Sequence, residues 1–223
     1  MFKPDKPENE NDIIRELNSK TGDEHFIFLI ESSIPFVKKL MQSDLGKKYK
    51  LLKNYTISHG GLINLLFRKD LNKINFIPIE APVLLIKYNF NGIDIFIGGC
   101  HLFPFAENAE RRMEELLITR SVVPPKNSLI LIGDMNIREK ESKFLDKKNN
   151  ILDLIDSGDK RKTWFSHFFD NKSFNVGMRF DRLFISPSLV IEEFDLFGKS
   201  IIFKKVKYLS DHMAIKTKIK IDC

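Results

Sequence analysis

Several apolar runs in this chain end in residues that can do acid–base chemistry. Leu129-Ile130-Leu131-Ile132 reads as a buried strand and stops in Gly133-Asp134-Met135-Asn136, a glycine followed by an acid and an amide. Arg179-Phe180-Asp181-Arg182 opens into the apolar Leu183-Phe184-Ile185, and Leu209-Ser210-Asp211-His212 precedes an alternating run from Met213 to Ile219. Phe26-Ile27-Phe28-Leu29-Ile30 runs into Glu31, and another apolar stretch closes in Cys100-His101-Leu102. Strand ends hold side chains more rigidly than loops do, so they suit a site that must keep carboxylates and imidazoles in place. Each ending has a plainer explanation taken singly: Asp and Asn after a strand form turns, and a lone histidine is more often a satisfied hydrogen-bonder. Their joint occurrence, each beside a β-rich run, is harder to explain that way.

Phosphodiester hydrolysis needs the same parts. Water must be made nucleophilic, and the charge developing on the phosphorus oxygens must be stabilised. Asp134 would orient and deprotonate the water, with Asn136 donating a hydrogen bond to it or to a phosphoryl oxygen. His212 as imidazolium would donate to another phosphoryl oxygen, and Asp181 would orient that ring and raise its pKa. Glu31 would hold Mg2+, a hard ion that prefers one or two carboxylates together with water and phosphate oxygen.

The elements needed to position these groups can be read from the periodicity. Met1 to Asn11 is polar, carries Pro4 and Pro7, and is expected to lack order, while Asp12 caps a short helix bearing Ile13, Ile14 and Leu17. An amphipathic helix is expected over Ile34 to Leu45, and strands over Leu51-Leu52, Leu62 to Phe67, Val83 to Phe90 and Ile93 to Ile97. Asn91-Gly92 between the last two is a two-residue hairpin signal. A charged helix follows over Glu107 to Leu117, and Trp164 to Phe174 is a loop-rich aromatic region. No repeat or composition break divides the chain. Strands with sparse helices predict an α/β domain, two sheets packed face to face with helices outside.

At 223 residues the chain fits one domain. Its net charge of +6 suits a polyanionic partner, or equally a lysine-rich soluble surface. Two cysteines, Cys100 and Cys223, make no disulfide framework, and neither C-x-x-C nor a close histidine pair suggests zinc. With no signal segment and no run of roughly 18 apolar residues, an intracellular protein without a membrane partner is expected.

The motifs Leu29-Ile30-Glu31, His101-Leu102, Gly133-Asp134-Met135-Asn136, Arg179-Phe180-Asp181-Arg182 and Ser210-Asp211-His212, in this order, resemble the endonuclease/exonuclease/phosphatase superfamily of metal-dependent phosphoesterases. Ile137-Arg138 after the third motif, Thr163-Trp164 before the fourth, and the helix around Arg112 are similar to the branch that hydrolyses 5′-tyrosyl-DNA bonds. The resemblance implies a four-layer α/β/β/α sandwich of two mixed sheets with outer helices, and a catalytic domain over residues 12–223. It implies Mg2+, or Mn2+, at Glu31; catalysis by Asp134, Asn136, Asp181 and His212; and Asp211 helping to position His212 and the phosphate. His101, Arg138, Trp164 and Arg112 would contact phosphate or nucleic acid. A core tryptophan and surface salt bridges are the plainer roles of the last three.

The implied substrate is a DNA 5′ end carrying a tyrosyl or peptide adduct, as in repair of topoisomerase II lesions, acted on by a monomer in the nucleus or cytoplasm. Alternatives are an abasic-site endonuclease, an RNA deadenylase, a phosphoinositide phosphatase, or a non-catalytic nucleic-acid-binding relative. Three departures stand out. Ile30 replaces a glutamine, Phe103-Pro104 replaces Glu-Ser, and the superfamily's opening strand, which ends in Trp-Asn, has no counterpart in the sequence; Met135 in place of a small polar residue is a lesser fourth. Either the sequence is a shortened version of a longer protein, or the lineage has dispensed with that strand.

Overall fold

The computed structural model describes residues 7–141, 152–165, 177–202, 205–208 and 210–221. Four of its strands, β1 (Phe26–Ser32), β2 (Tyr49–Leu51), β3 (Thr56–Ser58) and β4 (Gly61–Arg68), form one antiparallel sheet in which β4 pairs with each of the others. A second sheet has the order β5-β6-β7-β8-β12-β9, built from β5 (Ile74–Ile77), β6 (Val83–Phe90), β7 (Ile93–His101), β8 (Ser128–Asp134), β9 (Ile155–Asp156) and β12 (Asp181–Ile185). Between β9 and β12 in the chain lie two short paired strands, β10 (Trp164–Phe165) and β11 (Gly177–Met178). The chain then runs through β13 (Leu189–Phe197), β14 (Lys199–Ile202), β15 (Lys205–Tyr208) and β16 (Ala214–Ile221), with β13 paired to β16 and β14 to β15.

Three apolar clusters set the layers. Ile63 and Leu65 of β4 meet Leu84, Ile86, Ile97, Ile130 and Leu183 of the larger sheet, so the central core lies between the two sheets. On the outer face of the smaller sheet, Ile13 and Leu17 of α1 (Pro7–Lys20), Phe36 and Leu40 of α2 (Ile34–Met41) and Leu45 of α3 (Asp44–Lys48) cover Leu29 and Leu66. On the outer face of the larger sheet, Leu116 of α4 (Ala109–Ser121) packs with Val83, Leu85, Phe96, Leu129 and Leu131. Strands buried on both faces read as continuous apolar runs, as Leu129 to Ile132 does. This is the expected α/β/β/α sandwich.

The differences from expectation have local causes. α1 begins at Pro7 rather than at Asp12, so residues 7–11 are helical; proline suits the first helical position, where a missing N–H costs nothing. The single helix expected over Ile34 to Leu45 is two, broken where Ser43 and Gln42 donate their N–H groups to Leu40 and Lys39 carbonyls. β3, with three residues, and β5, with four, are too short to show a clear alternation. Asn91-Gly92 does make the two-residue turn, with φ of 49° and 90° at its centre and Phe90 paired to Ile93. Met1 to Lys6 and 166–176 lie outside the described residues. Among the described residues no strand precedes α1, and β1 pairs on one edge alone, with β4.

Candidate active site

Strand register builds the centre of the site. In the parallel pair β7–β8, His101 lies opposite Asp134, and in the antiparallel pair β8–β12, Asp134 lies opposite Asp181. Three adjacent strands of one sheet therefore end on one row of an imidazole and two carboxylates. Gly133 permits the close approach of β7 and β8 there: its φ is +134°, and a side chain would meet the Cys100 carbonyl at 2.4 Å.

The loop that carries His212 is laced to this row by backbone contacts. Trp164 and His212 form an isolated antiparallel bridge, Phe165 N–H donates to Asp211 O (2.8 Å), and Met213 N–H donates to Thr163 O (2.7 Å). The buried Thr163 hydroxyl accepts the N–H groups of Phe180 (3.2 Å) and Asp181 (2.9 Å). His212 Nδ1 then lies 2.9 Å from Asp181 Oδ2, and its Nε2 lies 3.8 Å from Asp134 Oδ2. Burial alone would lower the His212 pKa, but Asp181 and then Asp134 outweigh it and raise the ring to about 9. His212 is therefore an imidazolium at neutral pH, with Nδ1–H donating to Asp181.

Asp134 is buried, and loss of solvent raises its carboxyl to about 7, with the Asp181 charge adding to the rise and the His212 charge opposing it. Its Oδ1 accepts the N–H of Asn136 (2.8 Å). Asn136 sits at φ +50° and donates one amide hydrogen to Leu102 O (3.0 Å), so it braces the Asp134 carboxylate against the His101 strand.

Glu31 is delivered by the other sheet. The β1–β4 register shifts between Leu29 and Ser32, and Glu31 takes φ +53° at this irregularity, turning its side chain out of the strand alternation. Non-glycine residues in that region carry a cost of order 1–3 kcal/mol, and such strain gathers at functional sites. Its carboxylate lies against Gly60, where an added Cβ would fall 2.1 Å from Glu31 Oε1. Glu31 Oε1 is 3.3 Å from His101 Nε2, whose other ring nitrogen is 2.8 Å from Ser58 Oγ. Although His101 faces two acids, burial and then the positive charge of His212 lower it to about 4, so the ring is neutral. The acids in front of Nε2 assign the proton there, leaving Nδ1 to accept from Ser58.

These groups fit a divalent metal. Asp134, Asp181 and His212 cluster within 4.8 Å of one another, and since the charged His212 ring has no free lone pair, the donors are the carboxylates of Asp134 and Asp181 together with Glu31 in the Gly60 cradle. Oxygen donors without sulfur suit a hard cation. The neighbouring Cys100 is buried with its thiol pKa pushed far up, so it supplies no thiolate.

Beside the row, Trp164 packs on Phe180 with ring centroids 5.4 Å apart, and the Arg138 guanidinium lies over the other ring partner, 5.0 Å from the Phe180 centroid. Arg138 is partly exposed and donates to Asn136 O (2.6 Å). Arg112 is placed differently from expectation. It is 1% exposed, grips both oxygens of Glu141, and donates to the carbonyls of Phe103 and Phe105, both at 2.7 Å. It thus fixes the loop after His101 from within and has no surface to offer a phosphate; its helix turns inward at that position, which its charged sequence hid. Asp211 lies beside the site, but the carboxylate bonded to His212 is that of Asp181. Arg179 and Arg182 both clasp Asp156 on β9 and fix the start of β12.

Sequence reading missed Ser58 and Gly60, which hold His101 and Glu31, and named Thr163 in a motif without the role it has in holding Asp181. Ser58 to Gly61 looks like an ordinary polar turn. The role of Thr163 is hidden because its hydroxyl bonds go to a segment 17 and 18 residues away.

The chain belongs to the Endonuclease/Exonuclease/phosphatase family, whose model matches residues 12–212. Within that class it is 25% identical over 215 residues to a 5′-tyrosyl-DNA phosphodiesterase of Caenorhabditis elegans, covering 86% of this chain and 59% of that protein. The chain thus spans about three-fifths of the length of this curated relative. Among solved structures it is similar to a humanized D. rerio TDP2 carrying 14 mutations (TM-score 0.73, 19% identity, 96% of this chain and 94% of that one). It is also similar to D. rerio TDP2 complexed with single-strand DNA product (TM-score 0.70, 19% identity, 95% and 91%). Among the described residues, no helix is long and apolar enough to cross a membrane.

Proposed function

We propose that this protein is a Mg2+-dependent phosphodiesterase that hydrolyses the bond between a protein tyrosine and a DNA 5′-phosphate. The observation that carries the reading is the convergence of a neutral-range carboxyl, Asp134, and an imidazolium, His212, on one oxygen-lined centre. The flank of Trp164 and Arg138, both partly exposed and packed on the buried Phe180, supports a nucleic-acid substrate, because bases stack on aromatic rings and phosphates pair with cations. The similarity to a 5′-tyrosyl-DNA phosphodiesterase supports the choice of linkage.

In this reading Asp134 accepts a proton from the attacking water, whose oxygen bonds to phosphorus as the bond to the tyrosine oxygen breaks. Asn136 keeps the Asp134 carboxylate aimed and offers its second amide hydrogen to the phosphate. His212 donates to a phosphoryl oxygen and is held in its charged form by Asp181. A phenol has a pKa of about 10, so the tyrosine can depart as phenolate without a strong acid beside it. Glu31 would hold the metal, which supplies positive charge to the phosphoryl group when bound. Trp164 and Arg138 position the nucleotide. The products are a DNA 5′-phosphate and the protein with its tyrosine side chain released, the phenolate taking its proton from solvent.

The test is hydrolysis of a 5′-tyrosyl oligonucleotide by the folded protein with Mg2+. Cleavage should vanish with chelator and in Asp134→Asn. If the substrate stays intact while an abasic duplex or poly(A) is cut, the linkage is wrong; if nothing is cut, the enzyme reading is wrong.

A further inference from the structure

The two flanks of the catalytic row differ in character. On one side stand Arg138, Phe180 and Trp164. On the other a groove of about 510 Å3 opens beyond His101, between β3, the loop joining β5 to β6, and α4. It shares His59 with the site: the His59 ring lies 6.5 Å from His101 and packs on Phe103 at 4.0 Å.

Tyr55, Ile57, Phe76 and Ile79 make the apolar part of the groove, and Tyr55 and Ile57 are 50% and 74% exposed. Isolated exposed apolar residues need no explanation, but several lining one groove do. Its far wall continues into a second hollow lined by Glu80, Glu110, Glu114 and Glu115. Among the described residues the one cation lining that hollow, Arg111, is already engaged, with its guanidinium 3.7 Å above the Phe103 ring and its Nε 3.7 Å from Glu115. In a chain of net charge +6, this local excess of acids is opposite to the whole. A phosphate strand would be repelled from such a wall, whereas an apolar ring flanked by cations would be attracted.

We propose that this groove receives the protein side of the adduct, a short peptide that is cationic around its linked tyrosine, while the DNA lies along the Arg138–Trp164 flank. The inference rests on the function proposed above and adds a subsite to it. A substrate that is nucleic acid on one side of the scissile phosphorus and protein on the other would meet matching chemistry on each flank.

Two measurements test it. The first needs no turnover: NMR titration with acetyl-Lys-Tyr-Lys-amide, acetyl-Glu-Tyr-Glu-amide and a 5′-phosphorylated oligonucleotide. The cationic peptide should shift the resonances of Ile57, His59 and Glu80; if the oligonucleotide shifts them and the peptide does not, the groove belongs to nucleic acid and the proposal falls. The second compares hydrolysis of oligonucleotides whose 5′ tyrosine is bare or lies within Lys-Tyr-Lys or Glu-Tyr-Glu. The Lys-flanked adduct should show a KM about tenfold below that of the Glu-flanked one. That ratio should collapse in the triple variant Glu80→Gln, Glu110→Gln, Glu114→Gln, with the bare tyrosyl substrate unaffected. Equal KM values for the two peptides would overturn the subsite. Failure to cleave the bare substrate would instead overturn the function, and the titration would still report on the groove.

Discussion

Replacing Asp181 by asparagine should move the whole pH profile of hydrolysis toward acid. In the native arrangement activity should rise as Asp134 ionises, near 7, and fall as His212 loses its proton, near 9. Because the two groups interact, these limbs belong to the pair. Asp181 is the largest influence raising His212, through its charge and the 2.9 Å hydrogen bond, and it opposes the effect of burial. Without that charge, burial dominates and the ring should titrate at or below its ordinary value of about 6.5.

At pH 8, His212 would fall from about nine-tenths protonated to about one-thirtieth, a loss of about thirtyfold in kcat if the imidazolium is required. The acid limb should also drop, because Asp181 helps to raise Asp134. Stability follows the same linkage. His212 titrates higher in the folded protein, so its contribution is complete below about 6.5 and is lost as pH rises through about 9. The contribution is of order 3 kcal/mol for a largely buried ring, and the variant should lose most of it. The assay is kcat against pH, from 5.5 to 10, on the 5′-tyrosyl oligonucleotide, with urea melts at pH 6 and 9.5. An alkaline limb that stays near 9 in Asp181→Asn would refute the assignment of His212 as the charged partner of Asp181.

Two further substitutions probe the supports of the site. Gly60→Ala places a methyl 2.1 Å from Glu31 Oε1, so the carboxylate must move; the Mg2+ concentration for half-maximal activity should rise at least about tenfold, with the fold intact by circular dichroism. Glu141→Ala strips the buried Arg112 of its carboxylate partner and should lower unfolding free energy by about 3 kcal/mol in urea titration, whereas a surface pair would cost under about 1 kcal/mol.

The row of imidazole and carboxylates was legible because strand ends advertise themselves: an apolar run that stops in Gly133-Asp134 or in His101-Leu102 states both the element and the group it carries. The sandwich followed from the same runs, since double-sided burial and the Asn91-Gly92 turn leave direct traces in sequence. What was not legible were relations across the fold. Nothing in the string says that Ser58 faces His101, that Gly60 leaves room for Glu31, or that the Thr163 hydroxyl caps the start of β12. Arg112 shows the converse, since a charged helix around it reads as a solvated surface while its guanidinium is buried under the Phe103–Phe105 loop. Partners brought together by tertiary packing are set by geometry, and residue type alone does not encode them.

The division of the site between two sheets gives its parts separate supports. His101, Asp134 and Asp181 ride on three neighbouring strands of the larger sheet, and His212 is tied to them through Thr163 and Trp164. Glu31 alone comes from the smaller sheet, on a strand whose one described partner is β4. Loosening β1 would therefore displace Glu31 and leave the proton-handling row in place. In the proposed mechanism that separates two effects. Metal affinity depends on how firmly β1 and the Gly60 turn hold one carboxylate, while the pH limbs depend on Asp134, Asp181 and His212. Substitutions on the face of β1 that is turned away from the row and covered by the helices, such as Leu29→Ala, should then raise the Mg2+ requirement without moving either limb. A shift of both limbs in that variant would mean that the two sheets hold the site as one unit.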